Sequence, residues 1–126
     1  ADNAKAFGID EKLQVVQGDL FENIDEKVDL ITWMIPFFPG TSQEGDTISA
    51  SMIMPPELFE RFLLEAKKYL NPKGVVLIPS FSLGGKLNDP KEVAPKFGYE
   101  VKRIWTHNSI SGIQQGLLYM DELRLN

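Results

Sequence analysis

Residues 17–40 read QGDLFENIDEKVDLITWMIPFFPG, and the segment VDLITWMI within them (28–35) decides the fold class. This segment is almost continuously apolar, which is typical of a strand in a parallel sheet that is covered on both faces. Parallel neighbours are joined by crossovers that usually contain a helix. The segment therefore predicts an α/β fold.

Segments on either side extend this pattern. LQVVQ (13–17) is a short β-rich run, and VVLIPS (75–80) predicts another strand. Proline and glycine positions and helical periodicity predict the end of a helix at 1–8, a helix from Pro55 to Leu70 and a short helix at 90–97. Strands at 99–105 and 116–125 have no helical crossover between them, so we expect them to pair antiparallel.

Composition excludes several classes of function. The net charge of -5 does not imply a nucleic-acid partner, because binding through phosphates needs clustered lysines and arginines. The chain has no cysteine and a single histidine, His107, so a thiolate or histidine-rich metal site is not expected. The apolar runs are too short to cross a bilayer and no signal peptide is visible, which predicts a cytoplasmic protein without membrane contact.

The run NAKAFGIDEKLQVVQGDLFENIDEKVDLITWMIPF (3–37) resembles the middle of a class I S-adenosylmethionine-dependent methyltransferase, the Rossmann-like family. Its pattern is a helix that ends in an Asn-Ala-type turn and Gly, a strand, Gly-Asp, and a Phe-Asp-Leu-Ile-type strand. The Asn-Pro-Lys-Gly turn at 71–74 and the terminal antiparallel pair also match. The resemblance covers essentially the whole chain and implies a mostly parallel Rossmann-like sheet with a C-terminal antiparallel hairpin.

The resemblance implies S-adenosylmethionine as the cofactor. Asp19 matches the acidic residue that accepts a hydrogen bond from the adenine amino group, and Leu20 matches the residue that lies against the adenine, with Phe21 beside it. A plain turn at Gly18-Asp19 is the alternative. The strand end is implied to line the region where methyl donor and acceptor meet, with Trp33 and Met34 toward the cofactor and Ile35, Pro36, Phe37 and Phe38 toward the substrate.

One branch of the family methylates nitrogen in bases or glutamine and carries Asp or Asn, then Pro-Pro, then Tyr or Phe at this strand end. Met34 occupies the Asp/Asn position and Ile35 the first Pro, while Pro36 and Phe37 keep the pattern. Met34 cannot hold an amino group by hydrogen bonds, which argues against amide or base N-methylation. The acceptor is left open between a small molecule and a protein, and residues 33–35 as plain core are the alternative.

The family's glycine-rich cofactor loop and the acidic ribose-binding residue are absent from the sequence. The family's first two strands would separate 13–17 from 28–35, so both segments should expose unpaired edges. We therefore expect residues 1–126 to form a single partial methyltransferase-like domain. The alternative is a non-catalytic module that uses its open edge to form a homo-oligomer or to pair with another chain.

Two other signals carry less weight. GTSQEGDT (40–47) has the glycine spacing of a phosphate-binding loop, but Asp46 replaces the lysine, so a loop that covers the substrate opening is favoured. His107 has no catalytic partner visible in the sequence and is expected on an exposed loop.

Overall fold

The structure is a computed structural model of the chain, and it describes residues 2–34, 38–39, 53–111 and 114–126. Its helices within these residues are α1 (Asp2–Ala6), α2 (Pro56–Tyr69) and α3 (Pro90–Val93), with 3-10 turns at Ser82–Gly84, Lys86–Asn88 and Ala94–Phe97. The strands are β1 (Val28–Thr32), β2 (Phe38–Pro39), β3 (Ile53–Met54), β4 (Leu70–Phe81), β5 (Tyr99–Ser111) and β6 (Gln114–Leu125). No helix among the described residues is both long and apolar enough to span a bilayer.

Four strands form one mixed sheet in the order β1-β4-β6-β5. β1 runs parallel to β4, with Ile31 opposite Val76, while β6 pairs antiparallel with both β4 and β5. β2 and β3 form a separate two-stranded parallel ladder. The predicted α/β class and the antiparallel pairing of the last two strands are confirmed.

Helix α2 covers one face of this sheet. It begins at Pro56. Proline is favoured in the first turn because its missing N–H group would have no hydrogen-bond partner within the helix. Its apolar residues recur every three or four positions, and this stripe is buried, namely Phe59, Phe62, Leu63 and Ala66. The Tyr99 hydroxyl on β5 donates a 2.6 Å hydrogen bond to the Leu63 carbonyl, and burial raises the pKa of Tyr99 well above its usual value. The helix is thereby fixed to the sheet by apolar packing and one buried polar contact.

A polar cluster ties the C-terminal hairpin to the segment that precedes it. Arg103 of β5 binds both oxygens of fully buried Asp121 on β6, at 2.8 Å from Nε and 3.0 Å from Nη2. The same guanidinium donates to Asp89 at 2.7 Å and lies 3.5 Å from the centre of the Tyr119 ring. The hydrogen bonds to Asp121 raise the pKa of Arg103, against the lowering effect of its burial. Asp89 also accepts from the Lys91 N–H at 3.0 Å, so one carboxylate caps α3 and holds the hairpin.

Helix α1 ends as the sequence predicts. Gly8 has a φ of +69°, and the Gly8 and Ile9 N–H groups donate to the Lys5 and Ala4 carbonyls at 3.1 and 2.9 Å. This is the Schellman arrangement, which favours glycine at the left-handed position.

Two predictions about strands are wrong. Residues 13–17 form no strand, and Val15 is 68% exposed. The reason is that a short β-rich segment is stabilised only beside a partner strand, and the described residues place none beside this segment. β1 is likewise not covered on both faces, because only Ile31 is buried and Leu30 is 54% exposed at the edge of the sheet.

We expect Asp121→Asn to lower the free energy of unfolding by about 3 to 5 kcal/mol, because it leaves the guanidinium without its buried counter-charge. Chemical denaturation followed by circular dichroism measures this change. The matched control is Glu122→Gln, which removes the partner of Arg124 in a more exposed 2.7 Å ion pair and should cost less than about 1 kcal/mol. Equal losses in the two variants would contradict the assignment.

Candidate functional site

The connection that leads to β1 folds into a tight loop. Leu20 and Asn23 both adopt the left-handed region, with φ of 53° and 67°. The Glu22 N–H donates to the Asp19 carbonyl at 3.0 Å, and the Asn23 side-chain amide donates to the Gln17 carbonyl at 3.0 Å. These bonds close the loop on itself, so the turn proposed as the alternative role for Gly18-Asp19 is present.

Aromatic packing attaches this loop to helix α2. The Phe21 ring stacks on Tyr69, with 5.1 Å between centroids and 9° between planes, and on Phe62 at 5.6 Å and 25°. Trp33, which follows β1, joins this group through Phe62, with 4.6 Å between the two ring centroids. Such ring pairs stabilise beyond their buried area, so the loop, the strand end and the helix form one unit.

An apolar cleft of about 310 Å³ lies within this unit, at the carboxyl end of β1. We call it the apolar cleft, and it is lined by Leu20, Phe21, Ile31, Thr32, Trp33 and Phe62. Ligands of open α/β sheets bind outside the carboxyl ends of the strands, which is where this cleft opens.

A second cleft of about 320 Å³ adjoins the first, and Phe21 belongs to both. We call it the polar cleft, and its lining consists of Asp19, Phe21, Glu22, Asn23, Arg61, Glu65 and Tyr69. The Asp19 carboxylate accepts a 2.7 Å bond from Arg61 Nη2, and Arg61 Nε lies 3.5 Å from Glu65 one helical turn further along α2.

The structure brings together three of the residues that the resemblance assigns to the cofactor, since Leu20, Phe21 and Trp33 line the apolar cleft. Asp19 lines the adjoining polar cleft. The Met34 side chain is 78% exposed and belongs to neither lining.

Most of the predicted substrate residues lie outside the described part of the chain. Ile35, Pro36 and Phe37 lie outside the described residues, as does the loop 40–47. Phe38 begins β2, and only its backbone is described.

Helix α2 supplies several residues of the clefts that the sequence analysis did not assign to a site. Phe62 and Tyr69 fall on the apolar stripe of the helix, which could have marked them as packing partners but not as the wall of a cleft. Arg61 gave no signal, because an arginine beside an apolar stripe is usual on a surface helix.

Three titratable residues outside the candidate site line neither cleft, namely His107, Asp121 and Glu122. His107 is exposed, as predicted, but it lies on strand β5 and not on a loop, and it stacks on Trp105 with 5.5 Å between ring centroids. Asp121 and Glu122 are adjacent on β6, so they point to opposite faces of the sheet, and they bind different arginines. Within the part of the chain that the structure describes, no group of three or more histidine, aspartate or glutamate side chains is arranged to hold a metal ion.

Comparison with known proteins identifies relatives of this chain. It is 31% identical over 87 residues to the ribosomal protein uL3 glutamine methyltransferase of Neisseria meningitidis, an alignment of 60% of this chain and 28% of that protein. It is 28% identical over 106 residues to a putative protein N5-glutamine methyltransferase of Methanocaldococcus jannaschii, covering 80% and 52% of the two chains. No protein-family model matches.

A solved structure shows the same fold. The crystal structure of ribosomal protein L11 methylase from Lactobacillus delbrueckii subsp. bulgaricus superposes with a TM-score of 0.55 at 18% identity, over 94% of this chain and 48% of that one. The chain is similar to class I methyltransferases in sequence and in fold. It spans only 28% of the Neisseria methyltransferase and about half of the other two methyltransferases.

We expect Gly18→Ala to disrupt the loop beside both clefts. A β-carbon at this position would lie 2.6 Å from the Glu22 carbonyl oxygen and 3.0 Å from the Glu22 β-carbon, so the backbone must shift. Hydrogen exchange should then accelerate at the Glu22 and Ile24 amides, which donate within this loop.

The control is Gly85→Ala, in a turn where no atom lies within 4 Å of the added carbon. Its positive φ strains that turn alone and should leave the Glu22 amide unchanged. Unaltered exchange at Glu22 in Gly18→Ala would show that the loop tolerates the side chain.

Proposed function

We propose that the full-length protein transfers a methyl group from S-adenosylmethionine to a protein acceptor. The observation that carries this proposal is that the adjacent residues Leu20 and Phe21 and the more distant Trp33 line one apolar cleft at the carboxyl end of a strand. The relatives support the reaction class, since those named above are methyltransferases or a methylase. They do not favour the alternative of a non-catalytic module.

The chemistry of the lining fits the adenosyl part of this cofactor. Adenine has two flat apolar faces and a polar edge that carries an amino group. Leu20 and the aromatic rings offer apolar walls, and the Asp19 carboxylate stands beside them as a hydrogen-bond acceptor. These residues would hold the adenine by contact with its faces and by a bond to its edge.

The main task of the protein in this reaction is to position the acceptor against the methyl group. The cofactor supplies a methyl group that its sulfonium already activates. The residues at the end of β1 would orient the acceptor toward that group and keep water out. Trp33 is half-buried and packed on Phe62, so it provides a fixed wall for this purpose.

The relatives also support a protein as the acceptor. The Neisseria and Methanocaldococcus proteins are named for glutamine in a protein, and in the Neisseria case the protein is ribosomal. Met34 offers a glutamine amide only a thioether, which is a weak hydrogen-bond acceptor, so the acceptor side chain in our proposal is not clamped at this position.

We expect Asp19→Ala to weaken the binding of S-adenosylhomocysteine, the reaction product, to the full-length protein by about 1 to 3 kcal/mol. The reason is the loss of the acceptor for the adenine amino group. Isothermal titration calorimetry measures the change, and Asp25→Ala, an exposed carboxylate before β1, is the control that should keep wild-type affinity. Unchanged affinity in Asp19→Ala would remove the residue from the site.

Transfer itself is tested with S-adenosylmethionine that carries a tritiated methyl group. The full-length protein is incubated with cell extract, and radioactivity is measured in the protein and the small-molecule fractions. Label in protein supports the proposed acceptor, label in small molecules refutes that acceptor, and no transfer to either fraction counts against the function.

A further inference from the structure

The Asp19 side chain would be free to rotate without its partner on α2. It is 65% exposed, and its carboxylate is held by the 2.7 Å bond from Arg61 Nη2. Arg61 Nε also lies 3.5 Å from Glu65 Oε2, one turn along the same helix, which is an ion-pair distance and not a hydrogen bond. The Asp19 carboxylate is therefore oriented by a side chain of helix α2 as well as by its own loop.

The ion pair between Asp19 and Arg61 lies in the polar cleft, which adjoins the apolar cleft. Leu20 lines the apolar cleft and the residue before it lines the polar cleft, while Phe21 forms part of both. The carboxylate thus belongs to the cleft that adjoins the apolar cleft, on the side of the shared Phe21. Arg61 binds its Oδ1 atom, and a carboxylate has a second oxygen with further acceptor capacity.

We propose that Arg61 is a positioning residue, which holds Asp19 so that its second oxygen accepts a hydrogen bond from the amino group of an adenine ring in the apolar cleft. This inference rests on the proposed function. The benefit is preorganisation, since binding then immobilises one fewer mobile side chain. Arginine suits the role because its planar guanidinium can contact two carboxylates at once.

The same pair contributes little to the stability of the fold. Asp19 and Arg61 are largely exposed, and ion pairs of this kind are weakened by solvent and salt. A positioning role therefore predicts a loss of ligand affinity without a matching loss of stability. This difference separates the proposal from a purely structural one.

The test measures S-adenosylhomocysteine binding to the full-length protein by calorimetry, with thermal unfolding in parallel. Arg61→Gln should weaken binding about threefold to tenfold, the cost of ordering one side chain, and leave the unfolding temperature unchanged. Arg61→Lys should recover part of the affinity because it keeps the charge. The matched control is Arg124→Gln, which breaks an exposed 2.7 Å pair with Glu122 on β6 and should bind as the wild type does.

A ligand analogue identifies the atom through which Arg61 acts. In this analogue the 6-amino group of the adenine is replaced by hydrogen, so no bond to Asp19 can form. Arg61→Gln should bind the analogue as tightly as the wild-type protein does. An equal loss for both ligands would overturn the proposal in favour of a general structural role.

Two further outcomes separate this inference from the proposed function. If Asp19→Ala weakens binding but Arg61→Gln binds equally or more tightly, the positioning role is refuted and the cofactor site stands. If the wild-type protein does not bind S-adenosylhomocysteine, both are refuted.

Discussion

Helix α2 packs its buried stripe against the sheet, and all four strands of that sheet contribute a residue to this contact. Phe59, Leu63 and Ala66 lie within the same cluster as Val76 and Ile78 of β4 and Leu123 of β6. The Tyr99 hydroxyl adds a buried bond that brings β5 into the arrangement. The same helix carries Phe62, Tyr69 and Arg61, so the packing that forms the core also builds the walls of both clefts.

The C-terminal half gains a second constraint from its charges. Burial of a carboxylate is costly unless it is paired, and Asp121 meets this condition through two bonds from Arg103. Because Arg103 also reaches Asp89, one guanidinium links the β5–β6 pair to the start of α3. Apolar packing thus determines where the hairpin lies, and the ion pair determines how the adjoining turn docks on it.

Local patterns in the sequence predicted the elements that carry their own signals. Helix α2 was predicted because proline, the apolar period and the turn at 71–74 agree, although the following strand begins earlier, at Leu70. β1 and the antiparallel hairpin were predicted from apolar runs and from the lack of a crossover. The strand predicted at 13–17 was wrong because a strand needs a neighbouring strand, and the local sequence does not show whether one is present.

The candidate site was predictable to the same extent. The family resemblance pointed to Leu20, Phe21 and Trp33, which the structure brings to one cleft. The ion pair between Asp19 and Arg61 joins residues far apart in sequence, and only the packing of α2 brings them together. The sequence also could not predict that the Met34 side chain faces solvent, because its direction depends on where β1 ends.

The Phe21 ring forms part of the wall of both clefts. Any molecule that shifts this ring from one side alters the shape available on the other, together with its stacking on Tyr69. Linkage requires such an effect to be mutual, so an occupant of one cleft changes affinity in the other by the same factor in both directions. Two ligands in the two clefts would therefore be coupled only if the binding of one displaced the Phe21 ring.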